Sequence, residues 1–173
     1  MKLKIIYFLL PLLTLIYFLL QGNFSKSLSV IYVILIVSVL LFLRKKLPFL
    51  KNGSFNMIII FVITSMFFGK TLNAYAIIPY YDKLLHFISG FIIAPIGYDL
   101  FIYLKKDNQS KLLLFLFTVL FSASLASLWE IFEFTSDSLF NTLSQNNSLS
   151  DTMIDIILGT ASGIISALLL IFR

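Results

Sequence analysis

No cysteine occurs among the 173 residues, which excludes disulfides, thiolate metal sites and a cysteine nucleophile. Charge is scarce as well: only 12% of residues are Asp, Glu, Lys or Arg, where a soluble domain carries roughly a quarter. There are eight acids and a single histidine. What fills the chain is apolar. Hydrophobic residues make up 60% and mean hydropathy is +1.00, more apolar surface than a soluble domain of this size can bury. These residues fall in long runs instead of periodic stripes, so the chain is read as an integral membrane protein. The net charge of +5 sits at the ends of those runs, where it marks cytoplasmic loops and not a nucleic-acid surface. No nucleic-acid partner and no organic cofactor are expected, and the oligomeric state is left open.

A helix crosses the hydrocarbon core in about 20 residues. The runs predict an all-α fold, a polytopic membrane helix bundle of about six transmembrane helices forming one integral domain over 1–173. The spans are 5–21, 28–43, 55–76, 84–104, 112–134 and 152–172. The first follows Lys2 and Lys4, as a signal peptide would. It is read as a retained helix, because Gln21-Gly22-Asn23 offers no small-x-small cleavage pattern and another span follows at once. The end of the third is blurred by Gly69, Lys70 and Asn73. Pro11 and Pro95 lie inside spans, where neighbours can satisfy the freed carbonyls. Ten of the 13 basic residues (Lys2, Lys4, Arg44, Lys45, Lys46, Lys51, Lys105, Lys106, Lys111 and Arg173) fall on one side, and Lys26, Lys70 and Lys83 on the other. The positive-inside rule then places both termini in the cytoplasm of a multi-pass cell-membrane protein.

The few acids are grouped. Asp99 and Asp107 stand at the inner end of the fourth span and Asp137 in the fifth loop. The remaining five form three short patterns: Asp82 and His86 in DKLLHF, Glu130 and Glu133 in WEIFEF, Asp151 and Asp155 in DTMID. Residues three or four apart share a helix face, and the topology puts all three pairs at the outer ends of their helices. Steps of four lead from these pairs into Gly90 and Ala94, into Gly159, Gly163 and Ala167, and back through Ala126 to Ser122. Such small residues let membrane helices approach closely, and the GxxxG is read as packing within the bundle.

Ionisable residues inside a membrane cost roughly 2.5–3.5 kcal/mol each on insertion scales, which makes them functional hypotheses. Five neighbouring carboxylates cannot all stay ionised unaided. Lys83 is the nearest cation, but one position beyond Asp82 it is expected to point off that face. A divalent metal resolves the conflict best, with Asp82, His86, Glu130, Glu133, Asp151 and Asp155 as ligands. An oxygen-rich set with one imidazole suits Mg²⁺ or Mn²⁺, with Zn²⁺ or iron as alternatives. Blander readings stand beside this one. The six residues can form a structural polar lock, and Asp82 and Asp151 can simply serve helix starts. Trp129, Tyr75, Tyr80 and Tyr81 read as interface anchors, and the 19 phenylalanines as lipid-facing bulk.

In the stretches DKLLHFISGFIIAP, SLWEIFEF and DTMIDIILGTASG the chain resembles the YjdF-like family of uncharacterised bacterial inner-membrane proteins. It is more distantly similar to the VanZ-like proteins associated with glycopeptide resistance. The resemblance covers the C-terminal half and implies an Asp-x-x-x-His helix, a helix ending in Glu-x-x-Glu, and an Asp-Thr-x-x-Asp helix. It implies no activity. The chain departs from the YjdF-like pattern at Tyr98-Asp99-Leu100, where a Glu followed by Arg is usual, and from the VanZ-like one at Asp155, where Asn stands. Three functions follow as expectations: metal-dependent chemistry on a lipid or lipid-linked phosphate, a cation- or proton-coupled small-solute transporter, and a non-catalytic factor binding a lipid headgroup. Two lipid-phosphate enzyme types are excluded. Asp137-Ser138 is not the Asp-Gly start of a CDP-alcohol phosphotransferase motif, and one histidine is too few for an acid-phosphatase-type lipid phosphatase.

Overall fold

The computed structural model describes residues 2–105, 110–142, 144–145 and 148–172, with side chains from Tyr7 onward. Lys106, Asp107 and Arg173, and the side chains of Lys2 and Lys4, lie outside the described residues. All regular structure among the described residues is helical. Helix α1 runs Lys2–Leu20, and α2 runs Phe24–Leu43 with a 3₁₀ turn over Arg44–Lys46. Helix α3 (Asn52–Val62) continues without a break into a π-helix, Ile63–Thr71. A short α4 (Ala74–Ile77) precedes three long helices, α5 (Tyr81–Leu104), α6 (Lys111–Phe140) and α7 (Leu149–Ile171).

Five of these segments are long and apolar enough to cross a membrane: Phe24–Lys46, Asn52–Thr71, α5, α6 and α7. The N-terminal helix, 19 residues long, supplies the apolar stretch Tyr7–Leu20 among its described side chains. The expected third span, 55–76, is corrected at its end. The π-helix stops at Thr71, and Asn73 then takes a left-handed conformation at φ 62°. Lys26 explains the stop: its Nζ donates to the Thr71 carbonyl at 2.5 Å and to Asn73 Oδ1 at 2.6 Å. A cation thus caps the free carbonyls of the helix end. The expected fifth span corresponds to α6, which runs six residues past 134, to Phe140.

The chain divides into two compact units, Met1–Tyr81 and Asp82–Arg173. In the first, α2 presents Val30, Val33 and Val37, fully buried at helical spacing, and Phe55, Ile59 and Phe67 are buried in the same unit. Those two phenylalanines, and Phe101 in the second unit, correct the reading of all 19 as lipid-facing; Phe67 has no exposed surface. Tyr81 is likewise no interface anchor. It is 8% exposed and donates to the Thr64 carbonyl at 2.8 Å, with its ring edge-on to Tyr75. Tyr80 beside it is 82% exposed.

The second unit packs α5, α6 and α7 through their small residues. A Cβ added at Gly90 would collide with Ser162 Oγ and with the α7 backbone at Gly159 and Gly163. One added at Gly163 would collide with the Ser122 side chain on α6. The GxxxG of α7 is therefore spent within the unit, as expected. Phe101, Leu114 and Ile171 form an apolar cluster at the opposite end of the helices from the acid pairs.

Candidate functional site

The three acid pairs lie on α5, α6 and α7 of the second unit. Asp82 and His86 occupy the first turns of α5. Glu130 is on α6, ten residues before its end, because α6 extends beyond the expected span. Helix α7 begins at Ser148, whose side chain accepts from the Asp151 N–H. Ser148 is thus the cap, and Asp151 sits in the first turn of α7.

The helix crossings bring Asp82, His86 and Asp155 together, with one ligand atom from each inside a group no wider than 4.8 Å. His86 is 7% exposed, Asp155 2% and Glu130 2%. His86 Nε2 lies 3.7 Å from Asp82 Oδ1 and 3.5 Å from Glu130 Oε1. Both separations exceed a good hydrogen bond, whose heavy-atom distance is about 2.7–3.2 Å. Two buried carboxylate oxygens, Glu130 Oε1 and Asp155 Oδ1, accept no hydrogen bond.

Lys83 corrects the expectation drawn from its position. Its Nζ meets Asp151 Oδ1 at 2.5 Å and Asp155 Oδ2 at 2.6 Å, with Asp82 Oδ2 at 3.8 Å. One step along α5 does turn it off the Asp82–His86 face, but that flank faces α7 and the four-carbon stem spans the gap. One cation therefore serves two acids of α7. Asp155 divides its oxygens, one on Lys83 and one turned elsewhere.

The other predicted residues are placed differently. Glu133 accepts from Trp129 Nε1 at 2.9 Å on its own helix and lies outside the Asp82–His86–Asp155 group. Asp151 is held by Lys83. Three contributions had no signal of spacing. Gln145, in the α6–α7 loop, donates through Nε2 to the Glu130 carbonyl at 3.0 Å and more weakly to Oε2 at 3.4 Å. Asp137 builds that loop, accepting from Thr142 Oγ1 and from the Ser144 and Gln145 N–H groups. Asp99, read from sequence as a helix-end acid, is 5% exposed.

Beside Glu130, α6, α7 and Gln145 of their loop border an open pocket of about 630 Å³. Glu130, Asp137, Gln145, Ser148 and Thr152 supply its polar wall, and Ile131, Phe134, Leu149 and Ile156 its apolar one.

Comparison with known proteins adds a family and no activity. No solved structure matches the chain. An uncharacterized protein of Thermotoga maritima is 36% identical over 96 residues, which is 51% of this chain and 46% of the relative. The chain thus aligns with less than half of that relative's length. The family model described as "Predicted membrane protein (DUF2238)" matches residues 3–173. That is nearly the whole chain, and the protein belongs to this family of membrane proteins.

Proposed function

We propose that the second unit holds a divalent cation, Mg²⁺, Mn²⁺ or Zn²⁺, between Asp82, His86, Glu130 and Asp155. In this reading the chain is a six-span cell-membrane protein with cytoplasmic termini, and the site faces outward. One observation carries the proposal: the spacing around His86 Nε2. Carboxylate oxygens at 3.5 and 3.7 Å are too far to hydrogen-bond. They match neighbouring ligands around an ion, since atoms held at about 2.1 Å stand roughly 3.0–4.2 Å apart. The unpartnered Glu130 Oε1 and Asp155 Oδ1 agree with it. Burying a carboxylate oxygen without a partner is costly, and a cation offsets that cost. The donor set of carboxylates and one imidazole suits these ions.

Within that site, Glu130 and Asp155 offer an oxygen each while Lys83 and Gln145 fix their other oxygens. A cation so held can bind or polarise a phosphate oxygen, which is the basis for chemistry on a lipid or lipid-linked phosphate. Glu133 and Asp151, engaged by Trp129 and Lys83, stand outside the inner set and serve as supporting charges. The distant sequence resemblance to VanZ-like proteins leans toward headgroup binding without catalysis, as analogy only.

The structural polar lock is the second reading, and the Lys83 bridge to Asp151 and Asp155 favours it. The transporter reading fares worse. Beyond the cluster, Gly90 and Gly163 bring the helices so close that an added Cβ would collide, which supports tight packing there over a solute path.

Metal content of tag-free, detergent-purified protein separates these readings. After dialysis against Mg²⁺, Mn²⁺ and Zn²⁺, mass spectrometry should find about one equivalent in wild type. His86→Ala and Asp155→Asn should each lose most of it while keeping wild-type helicity. Metal-free wild type, folded and monodisperse, sinks the cation site in favour of the lock.

A further inference from the structure

We infer that the first unit binds an acidic phospholipid, with its phosphate at the α2–α3 turn and an acyl chain in the groove between α1 and α3. Charge is divided unevenly along the sequence. All eight acids lie beyond Tyr81, so Met1–Tyr81 holds eight of the 13 cations and no acid. Four of those cations, Arg44, Lys45, Lys46 and Lys51, fall within the one turn between α2 and α3. Like charges so close repel one another, and their unit has no acidic side chain to neutralise them. The counter-ion comes from outside the unit, and the abundant anion at the end of a membrane span is lipid phosphate.

Arg44 is held in place by neutral groups. Its Nη1 donates to the Leu47 carbonyl at 3.0 Å and its Nη2 to Asn52 Oδ1 at 3.0 Å, with the guanidinium 5.3 Å from the centre of the Phe55 ring. Those bonds use two of the five guanidinium donors and involve no anion. Leu50, 2% exposed, anchors the middle of the turn. Lys45, Lys46 and Lys51 are exposed around it. A guanidinium already fixed by packing loses little freedom in gripping phosphate oxygens, and flanking ammonium groups add point charge.

A groove begins one helical turn from this charge. Asn52, the partner of Arg44, and Asn56 are four apart on α3 and share a face. Asn56 lines the groove, and its Oδ1 accepts from the Tyr7 hydroxyl of α1 at 3.1 Å. Its N–H pair can then donate to a lipid ester carbonyl. Further along, Leu10, Pro11, Ile60, Ile63 and Phe68 line an open, largely apolar groove of about 550 Å³. That volume lies within the roughly 300–1,000 Å³ of ordinary ligand pockets. Cation, amide and apolar wall thus follow one another along α3 in the order of phosphate, ester and acyl chain in a phospholipid.

Native mass spectrometry of the full chain tests this, with phosphatidylglycerol and phosphatidylcholine of the same acyl chains as probes. Phosphatidylglycerol should bind about tenfold more tightly than phosphatidylcholine. Lys45→Gln combined with Lys46→Gln leaves the Arg44 bonds in place and should cut that preference severalfold. Lys105→Gln combined with Lys111→Gln removes the same charge from the α5–α6 junction and should leave the preference unchanged. Ile60→Trp fills the groove, keeps every charge, and should weaken phosphatidylglycerol binding severalfold. Equal binding of the two lipids by wild type overturns the charge assignment. A preference that survives the Lys45 and Lys46 changes, or falls as far with those at Lys105 and Lys111, overturns the turn as the site. Undiminished phosphatidylglycerol binding by Ile60→Trp overturns the groove. None of these substitutions touches the cation cluster of the second unit, so metal content should stay at the wild-type level and either proposal can fail alone.

Discussion

Lys83 shows what a single side chain contributes to this fold. Its side chain is 18% exposed, and its ammonium lies within 2.6 Å of carboxylates four residues apart on α7. Removing one partner of a buried ion pair leaves an uncompensated charge and costs about 3–5 kcal/mol. Lys83→Met should fall near the lower end of that range, since Asp151 keeps 18% of its side-chain surface exposed. The measurement is a thermal melt in detergent. Pairing Lys83→Met with Asp155→Asn should recover part of the loss, because the second change removes the orphaned charge. No recovery in the double variant contradicts the bridge. His86, Asp82 and the two acid pairs were legible in the sequence because spacings of three and four place side chains on one face. Lys83 was not, because spacing on α5 says nothing about which helix flanks it. Gln145 was hidden for a related reason: a loop residue carries no periodicity, and its place depends on how Asp137 folds the turn.

At the scale of elements, glycines set the distances. Hydropathy alone located the long helices, and steps of four located their small-residue faces, but the contact partners came only with the structure. Gly90→Ala should destabilise, by about 1–3 kcal/mol as overpacking does, because the new methyl meets the α7 backbone. Gly53, inside α3, has no atom within 4 Å of an added Cβ. Gly53→Ala should therefore stabilise by about 0.5–1 kcal/mol through helix propensity. Opposite shifts in melting temperature confirm the distinction, and equal shifts refute it. The π-helix at Ile63–Thr71 left no such trace in the sequence. Its register shows where Leu72 N–H returns to the Phe67 carbonyl and Thr71 Oγ1 to the Met66 carbonyl. Sequence pattern predicts only an apolar run that fades at Lys70.

For the whole molecule the open quantity is the parity of the spans. Among the described residues five segments are long and apolar enough to cross, and the 19-residue α1 adds the apolar stretch Tyr7–Leu20. If α1 crosses, both termini share a side. The basic residues favour this, since two of the three on the minority side have local employment. Lys26 caps the π-helix and Lys83 bridges α7 acids. Orientation is readily measured because the chain has no native cysteine to remove. Single cysteines at Asn23 and at Ser148 should react with an impermeant maleimide from outside intact cells, and one at Asn52 should not. Labelling of Asn52 alone inverts the topology.

The central claim, a cation between Asp82, His86, Glu130 and Asp155, has a direct spectroscopic signature because His86 is the single histidine. Tag-free protein carrying ¹⁵N-histidine and loaded with Mn²⁺ should show one imidazole nitrogen coupling in electron spin-echo modulation, absent from His86→Ala. Mn²⁺ bound without nitrogen coupling, or no bound Mn²⁺ in folded protein, contradicts the claim and leaves the acids as a structural lock.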